Sequence, residues 1–251
     1  MKTDYGDFNV PPDHYKPKIV CIIPARGGST RLPDKNMRMF AGRPLVAWTI
    51  IQALCSHALD EVWVSSDSER ILEVASKLGA KTYKRELPEN DDSPGYVPML
   101  ELIRKIAGPR DVFVGLMVTS PLRQVFDIDR AVAKWFASPD RENKICQAMA
   151  KIHEDFRFKM MNDDYAIPLP ATENDNLKVD GSIHVSTRAL YEEQIEKEGD
   201  VYFIPYLLEY WQTLDINTAD QLRFAEMVFY DRILTDNLNP YAVYKKGGLK
   251  V

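Results

Sequence analysis

Residues 22–36 read IIPARGGSTRLPDKN, and they decide the fold because they join a buried-strand pattern directly to a glycine turn crowded with cations. Upstream, residues 18–23 supply an apolar, β-prone run. Downstream, Arg26, Arg31 and Lys35 converge on a turn opened by Gly27 and Gly28 and continued by Ser29 and Thr30. Adjacent glycines let backbone N–H groups face an anion with no Cβ in the way, and the flanking cations neutralise its charge. The stretch predicts a strand running into a polyphosphate-binding loop. On spacing alone, the alternative is an ordinary strand-to-loop junction with solvated charges.

Working outward, strand-like and helix-like segments alternate. Pro44 opens a helical pattern through about Cys55, with Leu45, Trp48, Ile51, Gln52 and Leu54 in register. A strand follows at 61–65. Asp67 is the expected N-cap of a helix to Leu78, closed by Gly79. A short strand at 81–83 leads into the polar stretch KRELPENDDSPGY, then a helix at 97–107 and a strand at 111–118. Asp127 is expected to cap a helix through Trp135, and 144–150 reads as a strand. From Lys151 to Asp180 the rhythm breaks, and this section is read as an inserted lobe for substrate recognition or subunit contact, with a surface excursion of neither role as the alternative. Regularity returns with a strand at 181–185, a helix from about Thr187, an extended VYFIPY segment and a final helix from Thr218 through Ile233. Strands alternating with helices of this length predict a doubly wound α/β domain with a mostly parallel sheet covered on both faces.

The 251 residues suffice for one large domain with a small appendage, and 45% hydrophobic with 27% charged residues is ordinary for a folded chain. Residues 1–17, with Pro11, Pro12 and Pro17, are expected to form a flexible arm before a domain at 18–251. A net charge of −5 argues against sequence-independent nucleic-acid binding, so phosphate contacts must be local. Cys21, Cys55 and Cys146 show no ligand or redox spacing and are read as buried free thiols. With no apolar run of membrane length and no signal-peptide core, the expected location is the cytoplasm, with no membrane partner.

In open α/β sheets ligands lie beyond the carboxyl ends of the strands. Polar residues recur there: Arg26 to Ser29 after the first strand, Ser65, Ser66 and Asp67 after the second, and TSPLR, with Ser120 and Arg123, after the strand that precedes Thr119. The histidines His14, His57, His153 and His184 show no nucleophile-base spacing, and His184 is read as a packed residue.

With IIPARGGSTRLPDKN, GRPLVAWTI (42–50), VSSDSERI (64–71), TSPLR (119–123), DGSIHVS (180–186) and LDINTADQLRFAE (214–226), the chain resembles the cytidylyltransferases that activate acidic sugars, especially the acylneuraminate group and the related ketodeoxyoctonate group. The resemblance spans most of the chain after the arm. It implies a Rossmann-like nucleotidyltransferase fold with a dimerisation lobe at 151–180. It also implies transfer of CMP from CTP to an acidic sugar, with release of pyrophosphate and with Mg2+ as cofactor. By this resemblance Arg26 and Lys35 stabilise the transferring phosphate. Gly27, Gly28 and Ser29 offer backbone donors, Asn36 fixes the loop or the nucleotide, and Arg85 matches an arginine of the family's nucleotide loop; Ala25, Arg31, Ser66, Asp67, Ser120 and Arg123 are further candidates for the nucleotide site, and Lys178 and Asp180, by their place in the chain, for the acceptor side.

Several positions depart from the family pattern. Thr30 stands where sialate enzymes commonly have lysine, with Arg31 as a replacement, and Met117 stands where a glutamine is associated with the ligand site. The family's DID is here Asp215, Ile216, Asn217, so the expected metal ligands are Asp215 and Asn217, one of them neutral; a helix N-cap is the alternative for Asn217. The RRQ element is absent, and Asp180 replaces an asparagine before glycine. Lys178, Arg157 and Lys159 are the cations available to an acceptor carboxylate. Two other readings follow from these departures: a cytidylyltransferase with another anionic acceptor, such as a phosphonate, or a nucleotide-binding homologue without turnover.

Overall fold

Successive side chains along strand β1 (Ile19–Pro24) serve two different cores. Cys21 and Ile23 point to one face, Val20 and Ile22 to the other, and all four are fully buried. This is the pattern of a central strand covered on both sides, where alternation of polar and apolar residues gives way to a continuous apolar run. The computed structural model describes residues 15–29, 31–86, 97–151, 157–160, 166–169, 177–196 and 202–234. The expectations for residues 1–14, for Thr30, for most of the polar stretch after Lys84 and for much of the inserted lobe fall outside them.

The elements follow in the order β2 (Met39–Phe40), β3 (Arg43–Pro44), α1 (Leu45–Cys55), β4 (Glu61–Ser66), α2 (Glu69–Leu78), β5 (Lys81–Lys84), α3 (Val97–Ile106), β6 (Val112–Gly115), α4 (Val125–Ala137), β7 (Lys144–Lys151), β8 (Arg157–Met160), β9 (Ala166–Leu169), β10 (Leu177–Thr187), α5 (Arg188–Glu196), β11 (Tyr202–Leu207) and α6 (Ala219–Arg232). Seven strands form one sheet in the order β11-β7-β10-β6-β1-β4-β5, parallel except for β10, which runs antiparallel to both neighbours. The chain winds outward from β1 through β4 to β5, then returns to β6 on the other side of β1. The switch point therefore lies at the carboxyl ends of β1 and β6, the crevice where such sheets bind ligands.

Helices α1, α2, α4 and α6 cover one face through Leu45, Ile50, Ile71, Ala75, Ile128, Trp135, Leu222 and Phe229. Helix α3, with Leu102 and Ile103, and α5, with Tyr191, cover the other. Phe229 packs edge-to-face against Phe40 at 5.0 Å and tilted against Trp48 at 4.7 Å between ring centroids, and Trp48 donates its indole N–H to the Phe40 carbonyl at 2.7 Å. That cluster locks α6 against α1 and the β2–β3 hairpin.

Several boundaries differ from expectation. Helix α2 starts after Ser68, because the Asp67 carboxylate is engaged elsewhere; α4 starts after Gln124, and Asp127 serves as the third residue of a capping box instead of the cap. Pro44 lies just outside α1. Strand β6 stops at Gly115, since the Met117 carbonyl accepts from Arg123 and not from a neighbouring strand. The N-terminal arm is tied down as early as Tyr15, whose hydroxyl donates to Asp111 Oδ1 at 2.5 Å. Within the 151–180 section, β8 and β9 pair as an antiparallel hairpin, and β7 and β10 extend toward it as a ribbon in which Leu177 pairs with Lys151. Cys21 and Cys146 are buried as expected, whereas Cys55 at the end of α1 is only half-buried. No helix among the described residues is long and apolar enough to cross a membrane.

Candidate active site

The glycine loop is shaped by close packing against the end of β4. Ala25, buried, donates its N–H to the Ser65 carbonyl at 2.9 Å, and Gly27 donates to Asp67 Oδ1 at 2.8 Å. A Cβ on Gly27 would lie 2.9 Å from Ser68 Cβ and 3.2 Å from Asp67 Oδ2, so this glycine is required by proximity. The expectation that Gly27 offers its N–H to an anion is corrected: that donor is occupied by Asp67, a carboxylate that fixes the loop from behind. A Cβ on Gly28 would meet nothing within 4 Å, so Gly28 and the neighbouring Ser29 border the open side. Ser66 is buried and accepts the Ser68 N–H at 3.0 Å, which braces the same turn.

The cations converge at the other end of the loop. Asn36, buried in a single helical turn with Lys35, donates to the Arg26 carbonyl at 2.9 Å and so fixes the loop, one of the two roles open to it. Lys35 reaches across to the segment before α6, donating to the Ile216 carbonyl at 2.8 Å and to Asn217 Oδ1 at 3.3 Å. Burial pushes the Lys35 pKa below the usual lysine value; Asp215 opposes the fall, and Arg31 and Arg26 add to it. Arg26, Arg31 and Asp215 therefore lie within electrostatic reach of Lys35. A local excess of positive charge at a switch-point crevice suits a polyphosphate.

Asp215 is exposed and accepts the Asn217 amide N–H at 2.6 Å. Asn217 is not the helix cap. Thr218 caps α6, accepting the Gln221 N–H at 3.2 Å while Gln221 Oε1 accepts the Thr218 N–H at 3.0 Å. The Asn217 side chain is thus left beside Asp215. No group of three His, Cys, Asp or Glu side chains stands together among the described residues. The amide N–H faces the carboxylate and the amide oxygen faces Lys35, so with the amide turned over the pair would offer one carboxylate and one neutral oxygen, a set that suits Mg2+, which commonly takes one or two protein carboxylates and completes its shell with substrate phosphates.

The third strand end is organised by Arg123, one of the largest fully buried side chains. One terminal nitrogen donates to the carbonyls of Met117 at 2.9 Å, Ser120 at 2.9 Å and Ser182 at 3.0 Å, and the other to Thr49 Oγ1 at 2.8 Å. Its expected nucleotide contact is corrected: the guanidinium is committed inside the protein. Ser120, also buried, contributes its carbonyl to this network. Arg85, buried at the end of β5, donates its backbone N–H to the Ser66 carbonyl at 3.0 Å and so stands beside the β4 turn.

On β10, Lys178 is exposed and Asp180 buried, two residues apart. Burial raises the Asp180 pKa, hydrogen bonding from Ser182 and the charge of Arg123 oppose that rise, and Asp215 adds to it. Gly181 packs near Met117, whose Cγ would be 3.4 Å from an added Cβ. Arg157 and Lys159 lie on β8, and their side chains fall outside the described residues.

Two supporting residues escaped the sequence reading. Gln147, buried in β7, donates to the carbonyls of Asp180 at 2.8 Å and Ile183 at 3.1 Å. Gln52, buried in α1, donates to those of Pro121 at 2.8 Å and Arg123 at 2.9 Å. The available signal was a lone amide in an otherwise apolar run, a residue type that is rarely buried without partners. His184 bonds Gln147 and Ser186, and its burial lowers its pKa to about 4, which agrees with a packed role.

Comparison with known proteins adds the following. The chain is 28% identical over 242 residues to an N-acylneuraminate cytidylyltransferase of Streptococcus agalactiae serotype V, covering 92% of this chain and 58% of that protein. It thus spans under two thirds of the length of the curated relatives it first matches. It is 29% identical over 228 residues to a pseudaminic acid cytidylyltransferase of Campylobacter jejuni, covering 84% of this chain and 96% of the relative. Its fold matches that of a CMP:2-keto-3-deoxy-manno-octonic acid synthetase solved with CTP, at a TM-score of 0.67 and 18% identity, over 86% of this chain and 100% of the other. The cytidylyltransferase family pattern matches residues 20–166, which hold the glycine loop, the β4 turn and Arg123, and the chain belongs to the cytidylyltransferase family.

Proposed function

We propose that this chain transfers CMP from CTP to an acidic sugar of the sialic-acid or 2-keto sugar acid class. The single observation that carries the reading is Lys35. It ties the glycine loop to the Ile216–Asn217 segment and sits within electrostatic reach of Arg26, Arg31 and Asp215. The relatives' names support CTP and acidic sugars as the substrates.

In this mechanism an acceptor hydroxyl oxygen bonds to the α-phosphorus of CTP while the bond from that phosphorus to the bridging oxygen breaks, and the electron pair leaves with pyrophosphate. The hydroxyl proton passes to solvent. Arg26, Arg31 and Lys35 neutralise the triphosphate and the negative charge that grows on the departing pyrophosphate, so the site acts by positioning and electrostatics. Asp67 and Asn36 hold the loop in shape. Asp215 and Asn217 would hold Mg2+, which supplies further charge neutralisation on phosphate oxygens when bound. Lys178 offers a cation to the acceptor carboxylate and Asp180 an acceptor for a sugar hydroxyl.

The 151–180 section serves as a contact to a second copy in a homodimer, supported by exposed Leu177, Val179, Tyr202, Phe203 and Leu207 on the neighbouring β10 and β11. The three free thiols support a reducing cytoplasm. Incubation with CTP, Mg2+ and a panel of 2-keto sugar acids tests the central reading through pyrophosphate release. Acid-dependent release is the expected result; no release with any acid, under conditions in which a related enzyme turns over, would overturn it.

A further inference from the structure

Burying a guanidinium is costly unless its donors are satisfied. The two terminal nitrogens of Arg123 meet that condition by bridging three separate pieces of the molecule: the 117–120 turn after β6, Ser182 on β10, and Thr49 on α1. Gln52 donates to the carbonyls of Pro121 and Arg123 itself, so the segment carrying the arginine is also anchored to α1. The 117–120 turn in turn holds the segment before α6, because Ile216 donates to the Thr119 carbonyl at 2.8 Å. None of these bonds reaches residues 25–29, which are fixed independently through Ser65 and Asp67.

We propose that Arg123 is a positioning residue for the acceptor half of the site. It sets the register of the 117–120 turn against the β10 turn at 180–182, while the triphosphate loop holds its shape without it. This inference rests on the proposed transferase reading. Loss of the side chain releases one carbonyl on β10 and two on the 117–120 turn, and these frame Asp180 and Met117. The nucleotide loop keeps its own ties to β4 and to Asn36. The consequence is a division of labour: acceptor parameters depend on Arg123 far more than CTP affinity, which feels it only indirectly through the Thr119–Ile216 bond beneath Lys35.

The test compares Arg123→Met, Arg123→Lys and a control in the same core remote from the turn, Ile71→Val. In the ligand-free protein, hydrogen exchange followed by mass spectrometry should show Arg123→Met raising exchange at 117–120 and 180–184 at least tenfold, with 25–29 unchanged. Arg123→Lys, which keeps a donor and the charge, should recover part of that protection. Calorimetry should give CTP affinity within threefold of the parent, while the acceptor KM rises or kcat falls at least tenfold. Exchange that rises uniformly, or in 25–29 as much as in 180–184, overturns the inference, as does equal loss of CTP affinity. If Arg123→Met does not fold, Arg123→Lys is read alone by the same criteria. Absence of turnover in the parent protein overturns the transferase reading instead; the exchange pattern then still decides whether Arg123 couples the two turns.

Discussion

Gly27 donates its amide hydrogen to the Asp67 carboxylate at 2.8 Å, so the loop after β1 is held by the turn after β4. Two of the three polar strand ends are thereby one rigid unit. The same closeness makes the two adjacent glycines unequal.

Gly27→Ala places a methyl group against Ser68 Cβ and Asp67 Oδ2 and should cost about 1–3 kcal/mol of stability, as overpacking does. Gly28→Ala meets open space, and its backbone is outside the left-handed region, so stability should change by less than about 0.5 kcal/mol. Urea denaturation of the pair checks the contrast. Equal losses would show that the loop is not held against β4.

Lys35→Met should lower kcat/KM on the order of 10²-fold, the usual effect of removing a group that stabilises transition-state charge. In the ligand-free protein the lost bond to Ile216 is offset by removal of a half-buried ammonium, whose pKa burial depresses. Its melting temperature should therefore stay within about 4 °C of the parent. The rise in melting temperature on adding CTP should largely vanish. A thermal-shift titration reads both quantities.

Asn217→Asp sets a second carboxylate beside Asp215, where the amide now donates at 2.6 Å. Like charges at that distance should lower the melting temperature in chelator, and Mg2+ should restore it by more than in the parent protein. The measurement is melting temperature against Mg2+ concentration for both proteins. A metal response no larger in the variant would count against Asp215 and Asn217 as the metal position.

His184 contributes one part of the loss of stability in acid. Its folded pKa, about 4, lies below the ordinary value of about 6.5, because burial disfavours the imidazolium. The unfolded chain thus takes up a proton before the folded one does. The contribution is fully present above about pH 6.5 and is lost as pH falls through about 4, with a slope approaching about 1.4 kcal/mol per pH unit. His184→Gln should flatten that slope while leaving stability at pH 7.5 less affected. Urea midpoints between pH 4 and 7.5 check it.

The fold was legible where chemistry repeats. The apolar run of β1 announced a doubly covered strand, and the cations at 26, 31 and 35 announced a charged cluster, which the structure gathers around Lys35. Strand direction was not legible: β10 has the same composition running backward as forward, and only its pairing with Gly115 and Gln147 reveals it. Spacing alone makes caps of Asp67 and Asp127, but other partners draw both away: Gly27 in one case, and in the other the neighbouring Gln124 together with the distant Tyr206 and Gln212. Arg123 was read as a ligand contact for the same reason. A sequence reports that an arginine is present but not which way it faces.

The reversed direction of β10 separates two evolutionary problems. Every other strand of the sheet approaches the crevice with its last residues, but β10 leaves the crevice with its first, Lys178 and Asp180, fed directly from the hairpin-bearing segment. Under the proposed transferase reading, insertions and substitutions in that segment can thus retailor the acceptor's binding face while the windings that end in residues 25–36 keep their sequence. Diversification of the acceptor without renegotiating the nucleotide then follows from the order in which the chain enters the sheet.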